Sequence, residues 1–249
     1  MSVRTYLYEK RKIILLSVLA LGALVWCLIP ERRHAFGIRM PAGYTVHGID
    51  VSRYQGEVDW SDMENYTYGR NTVRIAFAFI KATEGRSVKD ACFDRNWDSI
   101  SLTNIIRGAY HFYVPSRSAD EQANNFISTV TLNSGDLPPA LDLEKPPGKQ
   151  SRAAFRASVK IWLAKVEKHY GVKPIIYTNL GFYEKYLAGD SELESCPVWI
   201  ARYNHRQDFG RPWVFWQHSE KGQIPGIRPT VDFNVFNGTL DELKSFCIK

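Results

Sequence analysis

A chain of 249 residues, 45% hydrophobic and 23% charged, has the composition of a folded globular protein, and its length suits one large α/β domain while leaving two cramped. No internal repeat or low-complexity stretch is present, which excludes a repeat solenoid and a mainly disordered chain. The formal charge of +6 does not indicate nucleic acid, because residues 1–40 hold seven basic against two acidic side chains, leaving a surplus of one for residues 41–249.

The chain opens with a short basic segment, 1–12, expected in the cytoplasm. Residues 13–29, IILLSVLALGALVWCLI, are uncharged and apolar, and at 1.5 Å per residue they nearly cross a hydrocarbon core about 30 Å thick. The run ends in bulky residues and Pro30 rather than at a small-residue cleavage site, so it reads as a transmembrane anchor or uncleaved signal. Arg4, Lys10, Arg11 and Lys12 outnumber Arg32 and Arg33, which places the N-terminus inside and the remainder outside, in the periplasm or extracellular space. Residues 30–44, with Pro30, Gly37, Pro41 and Gly43, read as a linker, and 45–249 as the folded domain.

Eight apolar runs follow, each turning polar at its C-terminal end: 46–52, 73–85, 105–115, 139–144, 174–179, 197–203, 213–219 and 230–236. Three helices are expected among them. Ser118 and Glu121 fit a capping box for a helix to about Val130. Ser151 caps a longer one whose apolar stripe runs Phe155, Val159, Trp162, Leu163, Val166 and Tyr170 before Gly171 stops it. A short third helix from Asn179 to Gly189 buries Phe182, Tyr186 and Leu187. Alternating strands and helices imply parallel βαβ units, and eight strands in about 200 residues imply an α/β barrel. The last three strands have connections too short for full helices, so irregularity is expected there. The active site of such a barrel lies at the C-terminal rim of its strands.

Asp142 and Glu144 stand two apart in a short strand, on one face and roughly 6 to 7 Å apart between Cα atoms. Crowded carboxyls cannot both ionise freely, so one pKa rises, as a proton donor near neutral pH requires. An isolated D-x-E is more often a cap or surface ion pair, and Asp50 and Asp232 taken singly read as a loop cap and a turn residue. Barrel closure would gather all four at one rim. Tyr54, Tyr113, Tyr177, Tyr203, Trp216 and Gln217 fall at the same strand ends and offer the flat faces and polar edges that suit sugar rings, whereas Phe77, Phe79 and Trp199 read as packing. His111 and His218 also lie near the rim, but no zinc-type spacing accompanies them and no metal or cofactor is expected. Nothing supports an acyl-enzyme framework. Cys92, Cys196 and Cys247 read as small buried hydrophobes.

In serial order HGIDVSRYQGEVDW, FAFIKATEG, RGAYHFY, PALDLE, PIIYTN, WIARY, FWQHS and VDFNVFNG resemble the glycoside hydrolase family 25 lysozymes, or Chalaropsis-type N-acetylmuramidases, across roughly residues 46 to 238. The resemblance implies an irregular, flattened (β/α) barrel that hydrolyses the β-1,4 bond after N-acetylmuramic acid in peptidoglycan. It further implies Glu144 as general acid, Asp142 as its partner, and Asp50 and Asp232 as the other acidic members of the site. Peptidoglycan glycan strands are the expected partner, with the membrane held through the N-terminal helix, no nucleic acid, and a monomer. Two other readings stay open: a barrel that binds wall polymer without turnover, and hydrolysis of another amino-sugar polymer such as chitin.

Overall fold

A short β-hairpin comes first among the described residues, with β1 (His34–Ala35) antiparallel to β2 (Ile38–Arg39). The computed structural model describes residues 34–65, 73–203 and 209–249. The anchor expected at 13–29 lies outside these, and no helix among the described residues is long and apolar enough to cross a membrane. The hairpin occupies part of the stretch read as linker. Ala35, Phe36, Ile38 and Met40 are all buried, so the apolar residues of 34–40 belong to the core rather than to a solvated tether.

Beyond it come β3 (His47–Val51), β4 (Ile75–Glu84), β5 (Val88–Lys89), β6 (Ile106–Phe112), β7 (Ala140–Asp142), β8 (Ile175–Asn179), β9 (Val198–Ala201), β10 (Phe215–Gly222) and β11 (Val231–Phe236). Eight of these close a barrel in the order β3, β4, β6, β7, β8, β9, β10, β11 and back to β3, with β5 a short antiparallel flap on β4. Each barrel strand falls within one of the eight apolar runs except β10, which continues past Ser219 to Gly222. Pairing is parallel from β3 through β10. Strand β11 is antiparallel to both neighbours, because the connection after Gly222 is too short for a crossover and returns the chain as a hairpin.

The helices are α1 (Trp60–Asn65), α2 (Phe93–Ile100), α3 (Ala119–Thr129), α4 (Arg152–Tyr170), α5 (Leu180–Phe182), α6 (Ser191–Glu194) and α7 (Leu240–Phe246), the last of which sets Leu243 and Phe246 against the barrel-filling side chains. The Ser118 side chain accepts from Glu121 N to start α3, and Ser151 accepts from Ala154 N to start α4. Gly171 ends α4 in the left-handed conformation at φ +73°, where a side chain would be strained. The expected third helix is instead α5 followed by a π-helical turn, Tyr183–Leu187, which buries Tyr183 in addition to Phe182 and Leu187 and leaves Tyr186 half-buried.

Strands covered on both faces sort their side chains by parity. One set, including Phe77, Phe79, Trp199 and Phe215, fills the barrel, with Phe79 stacked on Trp199 at 4.4 Å and Phe77 against Phe215 at 5.1 Å. Gly48 and Gly108 make room for these rings. A Cβ at Gly48 would lie 2.4 Å from the Phe77 ring and one at Gly108 2.6 Å from that of Phe79. The other set, including Leu141, Ile176, Ile200 and Trp216, packs outward in a layer that also holds Phe126, Phe155 and Trp162 of the helices.

Candidate active site

The barrel's parallel strands end at one rim, and β11, running the other way, brings Asp232 near its start to that same rim. Asp50 and Asp232 are directly paired across β3 and β11. Asp142 ends β7, in register with Tyr177 of β8. A cleft of about 350 Å³ opens there, lined by Asp50, Asp142, Glu144 and Asp232 together with Tyr54, Tyr177 and Tyr203. The four carboxyls expected to converge do so. Tyr54 and Tyr203 stand in the mouth, 67% and 44% exposed, which is unusual for such large rings and suits stacking on a sugar.

Asp50 is held by two amides. Its Oδ2 accepts from Gln217 Nε2 at 2.8 Å and from Asn234 Nδ2 at 2.7 Å. Neither amide is free to flip: Asn234 Oδ1 accepts from Trp199 Nε1 at 2.8 Å, and Gln217 Oε1 accepts from the Tyr203 and Tyr177 hydroxyls at 2.7 and 2.9 Å. Because an indole N–H only donates, the Asn234 nitrogen must face Asp50. Burial pushes Asp50 up to about 6 despite these hydrogen bonds, and burial together with the neighbouring Asp50 charge pushes Asp232 up to about 9. Asp232 therefore carries a proton at neutral pH and shares it in a hydrogen bond with Asp50.

Across the cleft, Asp142 is 6% exposed, and its Oδ1 has no hydrogen-bond partner among the described residues. Burial, then the charge of Glu144, raises its pKa well above the carboxylate range. Glu144 reaches into the open mouth and is exposed to solvent, yet the cleft walls remove enough water to raise its pKa also. The Tyr177 hydroxyl and the Lys81 ammonium pull it back down. The Tyr177 hydroxyl has one proton, shared in reach between Gln217 and Glu144, and turned toward Glu144 it favours the carboxylate. Asp142 and Glu144 titrate as a pair that retains one proton to higher pH than an ordinary carboxyl would.

Several expected contacts lie elsewhere. Tyr113 and Trp216 do not face the cleft: they sit at outward parity, 1% and 0% exposed, with the Tyr113 hydroxyl on Ser158 at 2.6 Å and Trp216 Nε1 donating to Arg202 O at 2.8 Å. Gln217 points inward but lies beneath the cleft surface, 1% exposed, and acts on Asp50 and the tyrosines rather than on a ligand. His111 is outward as well, stacked on Trp162 at 5.6 Å, and burial pushes it down to about 3. His218 is buried on the outer face of β10. Among the described residues no three His, Cys, Asp or Glu side chains are grouped to hold a metal. Cys92, Cys196 and Cys247 are free thiols, the first half-buried and the others buried. Sequence reasoning missed Asn234, Lys81, Tyr110 and Glu220. Asn234 was within reach of it, since it stands two residues after Asp232 on the same strand face, and Lys81 is the one cation of β4.

A model of the glycosyl hydrolases of family 25 matches residues 49–227. The chain is 48% identical over 214 residues to YegX of Escherichia coli (strain K12), covering 85% of this chain and 77% of that one. It is 32% identical over 212 residues to Lysozyme M1 of Streptomyces globisporus, covering 80% and 70%. A family 25 glycosyl hydrolase structure from Bacillus anthracis superimposes with a TM-score of 0.75 at 30% identity, over 86% of this chain and 99% of that one. The closed eight-stranded barrel, the carboxyl-lined rim and these likenesses agree: the chain belongs to the glycosyl hydrolases of family 25.

Proposed function

We propose that Glu144 is the proton donor of this glycoside hydrolase and Asp142 the group that answers the positive charge at the reacting sugar. The protein is a lysozyme that hydrolyses peptidoglycan as an N-acetylmuramidase. The observation that carries the residue roles is the pairing of a raised, solvent-reaching Glu144 with a buried Asp142 whose Oδ1 lacks a partner among the described residues.

With one proton between them, the productive form carries it on Glu144, which faces the glycosidic oxygen. As the C1–O bond breaks, that oxygen takes the Glu144 proton and positive charge grows at C1. An adjacent cation lowers the pKa of Asp142, so the ionised form is favoured at the moment it is needed. Water then adds its hydroxyl to C1 and returns its proton to the carboxyl pair. Asp50 and Asp232 do not transfer protons in this scheme; Asp50, hydrogen-bonded to Asp232, holds Gln217 and Asn234, which in turn fix the tyrosine hydroxyls and the indole that form the cleft wall.

General acid catalysis commonly contributes 10²–10⁴-fold, so Glu144→Gln is expected to lower the rate of dye release from labelled peptidoglycan by about that factor. Chitin assayed in parallel is expected to be cleaved poorly. An unchanged rate in Glu144→Gln removes the role assigned to it, and equal rates on the two polymers would make the substrate a general amino-sugar chain.

The same reading places the barrel outside the cytoplasm, tethered through residues 13–29. The apolar run and its basic flank support this. Protease added to spheroplasts, whose outer envelope is removed and whose inner membrane is intact, is expected to digest the barrel, and full protection there would contradict the orientation.

A further inference from the structure

A second hollow of about 310 Å³ lies beside the catalytic cleft and shares Tyr203 and Glu220 with it. Its far wall is the β1–β2 hairpin, where Gly37, Ile38 and Arg39 stand opposite His218, Ser219 and Lys221 of β10. That wall is anchored. Gln223 N donates to Phe36 O at 2.8 Å, and the Phe36 ring packs on Phe233 at 4.9 Å. A Cβ at Gly37 would come within 3.0 Å of Gln223 Oε1, so the hairpin turn closes tightly against the strand. The hairpin precedes residue 49, where the family match begins.

Charge separates the two hollows. The catalytic cleft is lined by Asp50, Asp142, Glu144, Asp232 and Glu220, and its one lysine, Lys81, is engaged by Glu84 at 2.7 Å. An anionic branch on the substrate is repelled from such a surface. In the adjoining hollow Arg39 and Lys221 are exposed, and neither forms an ion pair among the described residues. The single carboxylate there, Glu220, sits at the border between the two hollows.

We propose that this second hollow is a subsite for the acidic peptide carried by the muramic acid of the glycan, with Arg39 and Lys221 receiving its carboxylates. The proposal rests on the muramidase reading above. A sugar chain runs through the cleft past Tyr54 and Tyr203, while its peptide branch leaves the carboxyl-rich wall and turns to the free cations. Glu220 accepts from peptide N–H groups at the point of entry. The hairpin thereby selects glycan that still bears peptide over glycan stripped of it.

The test compares kcat/KM of the full-length chain on peptide-bearing peptidoglycan and on the same glycan after enzymatic removal of its peptides. The parent is expected to prefer the peptide-bearing form. Two exposed charge contacts each contribute modestly, so the double variant Arg39→Ala, Lys221→Ala should lose roughly 5- to 10-fold on that form, through KM, and nothing on stripped strands. Arg39→Lys with Lys221→Arg should keep the preference. Equal loss on both substrates would assign the hollow to the glycan chain or to folding, and no loss on either would leave the cations without a role; both overturn the proposal. Binding of a disaccharide-tripeptide and of the bare disaccharide to the Glu144→Gln protein gives the same comparison without turnover. If the parent cleaves neither polymer, the muramidase reading fails, while the binding ratio with and without Arg39 and Lys221 still decides the subsite.

Discussion

The most informative residues are the two carboxyl pairs, because each holds a proton that an unfolded chain would release. Asp232, at about 9, and Asp50, at about 6, both stand above the ordinary value of 3.8. Their raised native values make the folded state bind more protons, so this contribution to stability is fully present below about pH 4 and is lost as pH rises through the native values. Asp232→Asn removes the larger part, and thermal unfolding is expected to show a flatter fall of Tm between about pH 5 and about pH 9 than in the parent. An unchanged slope would mean that the pair does not share a proton. At Glu144, Tyr177→Phe deletes a hydrogen bond that favours the carboxylate. The alkaline limb of the pH-rate profile should therefore move to higher pH, and a shift the other way would show that Tyr177 does not donate to Glu144. Asp50, Asp142 and Glu144 were legible in the sequence through their strand-end positions, whereas Asp232, near the start of its strand, was legible only through the resemblance. Tyr113 and Trp216 were misread because strand-end position was weighed without parity: Tyr110 and Phe112 line the cleft, whereas Tyr113 continues the outward set.

Among elements, those with strong local signals were legible and those made by tertiary contact were not. The Ser118 and Ser151 caps and the Gly171 stop define α3 and α4 from sequence alone. The helices α1, α2, α6 and α7 escaped notice, although Thr239 and Glu242 form a reciprocal capping box at the start of α7. The hairpin at 34–40 carries Gly37 and is followed by Pro41, both of which mark loops, and only its burial against β10 and β11 makes it part of the fold. Burying a side chain of the size of Phe36 or Ile38 contributes about 1.5–3 kcal/mol. A chain starting at residue 41 is therefore expected to melt on the order of 10 °C below one starting at residue 34, at about 2–4 °C per kcal/mol for a domain of this size. Equal melting temperatures would show the hairpin to be dispensable to the fold. At the interior, Gly48→Ala should destabilise strongly, because the added methyl meets the Phe77 ring at 2.4 Å in a filled barrel. A melting temperature within a degree or so of the parent would contradict that packing.

At the largest scale, the described residues from His34 onward form a barrel whose closure turns scattered strand ends into one site. The count of eight strands and the irregularity at the end were legible, but the direction of β11 was not, because a hairpin and a short crossover look alike in sequence. That reversal matters to function: the start of β11, rather than its end, supplies Asp232 to the rim, directly opposite Asp50. Closure also explains why no single motif carried the assignment, since Asp50 and Asp232 lie far apart in the chain and acquire meaning only when β3 and β11 pair. The measurement that tests the account most directly is reducing-end analysis of purified peptidoglycan after incubation with the full-length chain, beside the same chain carrying Glu144→Gln. New reducing ends on muramic acid from the parent, and almost none from the variant, are predicted. Reducing ends on glucosamine instead, or equal release by the variant, would contradict it.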